Sequence, residues 1–183
     1  PAAFCGVVGL KTTYGRVSRH GLIALASSLD QIGPFAKTVS EAESIYDVIK
    51  GQDPMDSTTI SDDTYPKQRE FSKTIGIPRA FVENDGVSPE VKKNFDESVE
   101  KFKSLGYKIK DIELPNLKHS LAVYYIIMPA EASSNLAKFD GVKFGLHRDG
   151  TNGIEDYFET RGEGFGKEVR RRVILGTYVL SSG

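Results

Sequence analysis

The sequence predicts an α/β fold that becomes mainly helical in its C-terminal third. Three observations carry this. Residues 74–114 alternate strand, helix, strand, the pattern of a parallel pair joined by a crossover. Ser88-Pro89 has Ser at an N-cap and Pro at the first helical position. After Pro115, apolar residues recur at helical spacing almost to the end of the chain.

In chain order, Phe4, Val7, Val8 and Leu10, with Gly6 and Gly9 between them, predict a short buried strand over 4–10. Tyr14-Gly15-Arg16 predicts a turn. Gln31–Thr38 reads as an edge or irregular extended segment because it holds Gly33-Pro34. Ser40-Glu41-Ala42-Glu43 has the capping-box pattern and predicts a helix to about Lys50, with Ile45, Val48 and Ile49 inward and Gly51 just past its end. Residues 52–73 are polar and turn-rich and predict a surface connection, with some helix near its end. Thr74–Ala80 is a strand candidate. Val91, Phe95, Val99, Phe102 and Leu105 form the apolar stripe of the helix opened by Ser88-Pro89 and ended by Gly106. Tyr107–Leu114 is the next strand, stopped by Pro115. Helices are then predicted through Tyr124-Tyr125 to about Lys138, bent near Pro129, over Ile154–Thr160, and over roughly Gly166–Leu180.

The 183 residues suffice for one core, and 39% hydrophobic with 27% charged residues is ordinary globular usage. No apolar run reaches membrane-spanning length, and the first residues lack the basic and apolar regions of a signal peptide. A net charge of −1 argues against a broad electrostatic footprint for RNA or an anionic membrane. The single cysteine precludes an internal disulfide and fits a reducing, cytoplasmic setting. Pro1 is not an initiator Met, and Ser181-Ser182-Gly183 follows straight on a helical pattern. These ends predict an internal segment, 1–183, of a single larger domain, with processing of a precursor as the alternative.

Side-chain chemistry is sparse. His20, His119 and His147 are far apart and lack cysteine partners at zinc-ligand spacing. Gly162-Glu163-Gly164-Phe165-Gly166 lacks the Lys-Ser/Thr ending of a phosphate loop and reads as a helix entry. Cys5 is either a nucleophile or, as befits an apolar strand, a buried inert thiol. With Val169 at zero and roughly 100° per residue, Gly176, Leu180 and Val173 fall between about −20° and +40°. Arg172 falls near −60° on the border of that stripe and Arg171 on the far side, so Arg172 is the arginine aimed inward. It needs a carboxylate, either that of a substrate or that of an Asp or Glu within the fold. Tyr124 and Tyr125 are adjacent on a helix, so at most one enters a pocket cleanly.

Longer blocks carry a family resemblance. Pro1-Ala2-Ala3-Phe4-Cys5-Gly6-Val7-Val8-Gly9-Leu10-Lys11 resembles the segment that follows the nucleophile in amidase signature enzymes. Tyr14-Gly15-Arg16-Val17-Ser18-Arg19, the block Ala26 to Pro34, Glu131 to Leu136, Phe139 to Val142, Glu163 to Arg172 and Leu175 to Tyr178 are similar, within that family, to the A subunits of tRNA-dependent amidotransferases. The likeness covers nearly the whole chain, least at 55–73 and 148–153, and Thr12 stands where the family usually has Pro.

The resemblance implies a mixed central sheet flanked by helices. It implies a nucleophilic serine in a Gly-Gly-Ser-Ile-Arg-Gln loop before Pro1, with a bridging serine and a lysine further upstream, so that no catalytic residue lies in this chain. By register it makes Arg172 the ligand of a glutamine α-carboxylate and Tyr124 a wall of the same pocket, with Tyr125 the fallback. The acidic partner of the glutamine amino group would lie beyond Gly183. The implied activity is hydrolysis of glutamine to supply ammonia for transamidation of Glu-tRNA(Gln) or Asp-tRNA(Asn), in a cytoplasmic complex with B and C subunits. ATP and magnesium would be used by the B subunit, misacylated tRNA would meet the complex rather than this segment, and the segment itself would bind no cofactor and touch no membrane. Taken alone, it is expected to be inactive. The alternatives are another amidase signature hydrolase and a non-catalytic docking module.

Overall fold

The computed structural model describes residues 1–64, 72–148 and 152–182. Its elements in order are α1 (Ala2–Cys5), β1 (Val8–Gly9), β2 (Phe35–Ala36), α2 (Val39–Ile49), β3 (Thr74–Ile77), α3 (Arg79–Val82), α4 (Pro89–Ser104), β4 (Lys108–Asp111), a 3₁₀ turn (Leu117–His119), α5 (Ser120–Leu136), α6 (Gly153–Gly164) and α7 (Lys167–Ser181). The chain divides into two compact units, Pro66–Leu121 and the remainder. The strands form two separate pairs, β1 with β2 antiparallel and β3 with β4 parallel.

The smaller unit follows its sequence closely. The Ser88 hydroxyl accepts the Val91 N–H, and Pro89 opens α4. Gly106 turns the chain with φ 84, and β4 returns parallel to β3 with Ile75 opposite Ile109. Ile77 and Val99 are its buried apolar residues among those described. Both strands are shorter than predicted: Arg79 already belongs to α3, and pairing ends at Asp111. Only Val99 of the predicted α4 stripe is buried, while Val91, Phe102 and Leu105 stay exposed and Phe102 rests edge-on against Tyr107. The predicted helix near the end of 52–73 falls partly on 65–71, outside the described residues.

The larger unit departs from expectation at its start. Residues 4–10 are not one buried strand: Phe4 and Cys5 end a helical turn, Phe4 is 98% exposed, and Cys5 is exposed rather than buried. Ala2 and Ala3 are strong helix formers, and Gly6 at φ 63 caps the turn by donating to the Ala2 and Ala3 carbonyls. Only Val8-Gly9 pairs, with Ala36 and Phe35. The capping box of α2 also lies two residues earlier than predicted. Thr38 accepts from Glu41 N–H, and the Glu41 carboxylate accepts from Thr38 N–H. Thr38-x-x-Glu41 fits the same motif as Ser40-x-x-Glu43, and Thr38 has the extended backbone a cap requires. Ala42 is buried and Tyr46 and Ile49 are half-buried on the inner face, whereas Ile45 and Val48, both predicted to face inward, are exposed, Val48 at 84% on the far face.

The loops of the larger unit are tied by two arginines of the Tyr14–Arg19 block. Arg16 is buried, donates to the Ile60 carbonyl and pairs with Asp62, while its own carbonyl accepts the Gly51 N–H. Arg19 reaches the Ser27 carbonyl and the Thr58 hydroxyl, lies over the Tyr14 ring and faces Asp56. Gly15, at φ 80, leaves room for the Thr58 carbonyl. Thr12 is buried and donates to the Ile32 carbonyl at 2.8 Å.

The three C-terminal helices form where predicted, α6 running on to Gly164. Pro129 lies inside α5, which continues to Leu136. Helix α7 crosses α5 very closely. A Cβ on Gly176 would lie 1.9 Å from the Pro129 carbonyl oxygen and 2.7 Å from the Ser133 Cβ. Beside this crossing the Thr177 hydroxyl donates to Val173 O, so the Ser133 hydroxyl at 3.0 Å is its donor. Ala132 and Leu136 are buried, as is Gly176, whereas Leu180, in the last turn of α7 beyond the crossing, is exposed in spite of its place on the predicted stripe.

Gly176→Ala should destabilise by roughly 1–3 kcal/mol, the cost of overpacking, although Ala is the better helix former. A higher denaturation midpoint for the variant would contradict the close crossing. Asp56 accepts from the Thr58 hydroxyl and from the Arg19 and Thr58 N–H groups, and these bonds bring its carboxyl from 3.8 down to about 2. A depressed carboxyl stabilises above its unfolded value and loses that contribution as the pH falls through the folded value. Unfolding midpoints should therefore drop between about pH 4 and pH 2, and Asp56→Asn should flatten that part of the profile.

Candidate functional site

The site predicted from sequence lies on the facing sides of α5 and α7. Gly166 caps α7 with extended backbone, and Glu168 falls in the first turn, where a carboxylate is favoured by the exposed N–H groups. Arg171 and Arg172 follow at i+3 and i+4, the two spacings that bring side chains together on a helix. The Glu168 carboxylate takes Arg171 by two bonds, to Nε at 2.9 Å and Nη2 at 2.8 Å, and Arg172 by one, to Nε at 2.8 Å. These two arginines, Arg171 first, bring the Glu168 carboxyl down to about 2, so it is a carboxylate at any ordinary pH.

Arg172 reaches from α7 to α5, as its helix angle predicts. Its Nη1 donates to the Tyr124 hydroxyl at 3.0 Å and points at Met128 Sδ at 3.1 Å. Tyr124 and Met128 are four residues apart and share one face of α5. The Tyr124 hydroxyl, then Glu168, raise the guanidinium above its ordinary pKa, so its charge is permanent. Its side chain is 27% exposed against 55% for Arg171, which agrees with one inward and one outward arginine. Tyr125 meets Tyr124 edge to face at 5.3 Å. The structure thus brings Arg172 together with Tyr124, and it supplies an internal carboxylate, Glu168, as one of the two partners that the sequence left open.

Among the described residues the Nη2 group of Arg172 has no acceptor. A fixed, partly shielded guanidinium with N–H groups to spare, next to a phenol, can bind an anion with planar oxygens, above all a carboxylate. A second polar link ties α5 to the segment between β1 and β2. The Glu131 carboxylate accepts from the Ser28 hydroxyl at 2.5 Å and from its N–H at 3.4 Å, which lowers its pKa. Glu168 was legible as the carboxylate three and four residues before two arginines. Met128 and the Ser28–Glu131 bond join distant parts of the chain and have no local signal. Gly162–Gly166 forms the end of α6, its Phe165 cap and the Gly166 cap of α7, and holds no phosphate loop.

Comparison with known proteins adds the family. The Amidase family profile matches residues 1–183. The glutamyl-tRNA(Gln) amidotransferase A subunit of Carboxydothermus hydrogenoformans is 52% identical over 191 residues, and that of Desulfatibacillum aliphaticivorans 49% identical over 188. All of this chain is covered in both cases. The chain spans 39% of the length of these curated relatives. Among solved structures, the glutamyl-tRNA(Gln) amidotransferase A subunit of Thermotoga maritima superposes with a TM-score of 0.65 at 38% identity, covering 100% of this chain and 36% of its own. A further amidase superposes with a TM-score of 0.66 at 26% identity, with 97% and 34% covered. With a family match that runs from the first residue to the last, and with the amidase fold recovered in solved structures, the chain belongs to the Amidase family.

Proposed function

We propose that this chain is a segment of the glutamine-hydrolysing A subunit of a tRNA-dependent amidotransferase, and that Arg172 and Tyr124 form part of its glutamine pocket. The observation that carries the reading is the Arg172–Tyr124 hydrogen bond at 3.0 Å, which joins on two helices the two residues singled out by sequence. The relatives' names support it, because two of them, at 49% and 52% identity, are glutamyl-tRNA(Gln) amidotransferase A subunits.

In this reading the Arg172 guanidinium takes the α-carboxylate of glutamine through its Nη2 edge, and the Tyr124 hydroxyl holds the guanidinium plane and lines the pocket. The side-chain amide is then presented to a serine that lies upstream in the full-length protein. That serine, activated by lysine through a bridging serine, attacks the amide carbon. Ammonia leaves, and water releases glutamate from the acyl-serine. The ammonia passes to a B subunit, which uses ATP and magnesium to activate Glu-tRNA(Gln) or Asp-tRNA(Asn). A C subunit completes the cytoplasmic complex. The segment itself holds no cofactor in this assignment.

Arg172→Ala in the full-length protein with its partner subunits should lower kcat/KM for glutamine by about 10- to 100-fold, the worth of a charge-assisted hydrogen bond. Transamidation driven by added ammonium chloride should persist, since it bypasses the pocket. Unchanged glutamine use by the variant would refute the pocket assignment and favour an amidase acting on another amide. The 183-residue chain by itself should release no glutamate from glutamine above a buffer blank, and a measurable rate would refute the upstream location of the nucleophile.

A further inference from the structure

The Arg171–Glu168–Arg172 cluster is asymmetric, and the asymmetry bears on what Arg172 can bind. Glu168 closes a two-bond pair on Arg171 but makes a single bond to Arg172, at Nε. Two anchors on Arg172, Glu168 at Nε and Tyr124 with Met128 at Nη1, restrain a side chain that otherwise has several rotatable bonds. Among the described residues the Nη2 group is left without an acceptor. Had Glu168 taken Arg172 by two bonds, it would have used Nη2 as well and occupied the place of an incoming carboxylate. Arg171 engages both Glu168 oxygens and so holds that carboxylate toward its own edge.

We propose that Glu168 is a positioning residue for ligand binding by Arg172, and that Arg171, though it faces solvent, keeps Glu168 from masking Arg172. The proposal rests on the reading of Arg172 as the ligand of the glutamine α-carboxylate. It assigns to two residues outside the pocket wall a role in glutamine affinity. Neither residue touches the reacting amide, so the effect falls on KM and not on kcat.

The experiment is steady-state glutaminase kinetics on the full-length protein with its partner subunits. Glu168→Ala should raise KM for glutamine about 3- to 10-fold, the equivalent of losing one orienting hydrogen bond, with kcat changed less than about 2-fold. Glu168→Gln keeps an acceptor oxygen for Arg172 Nε and should restore KM to within about 3-fold of the parent. Arg171→Met frees Glu168 to close on Arg172 and should also raise KM. Adding Glu168→Ala to Arg171→Met should return KM to that of Glu168→Ala alone, where independent structural damage would multiply. Equal losses of kcat and kcat/KM in the single variants, or a KM unmoved by either, would overturn the proposal. Should Glu168→Ala fail to fold, Arg171→Met alone decides, because an unchanged KM there overturns the masking role. Arg172→Ala separates the two levels. If it leaves glutamine use intact, the pocket assignment itself is wrong. If it abolishes glutamine use while the Glu168 and Arg171 variants do not alter KM, only the positioning role is wrong.

Discussion

The close approach of α7 to α5 at Gly176 is the constraint on which the candidate site depends. Helices with ordinary side chains at their contact lie roughly 8–10 Å apart. Here the Pro129 carbonyl occupies the place where a Cβ on residue 176 would stand, and only glycine allows that. The crossing lies one turn after Arg172 on α7 and one residue after Met128 on α5. Moving the helices apart by the thickness of a methyl group would stretch the 3.0 Å bond to Tyr124 past hydrogen-bonding distance. The Ser133–Thr177 bond ties the same two helices beside the crossing.

What was legible in the sequence was whatever is decided within a turn or two of chain. Ser88-Pro89 opens a helix because cap and first residue are neighbours. The parallel pairing of β3 with β4 follows from strand, helix, strand. Arg172 was separable from Arg171 by helix angle alone, and the structure exposes them to the corresponding degrees. Where sequence reasoning erred, two local signals competed. Pro1-Ala2-Ala3 favours a turn of helix over the apolar strand suggested by Val7 and Val8. Thr38 and Ser40 both head valid capping boxes, and the extended residues before Thr38 decide between them. Val48 is apolar yet lies opposite Ala42, so hydrophobicity misplaced it where angle would not have.

Local pattern did not reach the other tertiary bonds. The resemblance put Arg172 and Tyr124 in one pocket, but nothing announces Met128 as a further partner of the guanidinium. Nothing near Ser28 announces Glu131, 103 residues away. The Tyr14–Arg19 block shows the converse. It too carries the family resemblance, and its two arginines direct their N–H groups to loop carbonyls, the Thr58 hydroxyl and acidic side chains of 53–62. Likeness to a family therefore falls on residues that tie loops together as well as on candidate site residues.

The cluster on α7 has an electrostatic consequence. Two guanidiniums and one carboxylate carry one net positive charge. The carboxyl titrates at about 2 and both guanidiniums are raised above their ordinary values, so that charge is constant across the whole neutral range. Attraction of an anionic ligand to this end of α7 is thus insensitive to acidity over several pH units. Any bell-shaped rate profile of the full-length protein reports on groups other than these three, and the helix end acts as a fixed electrode rather than a switch.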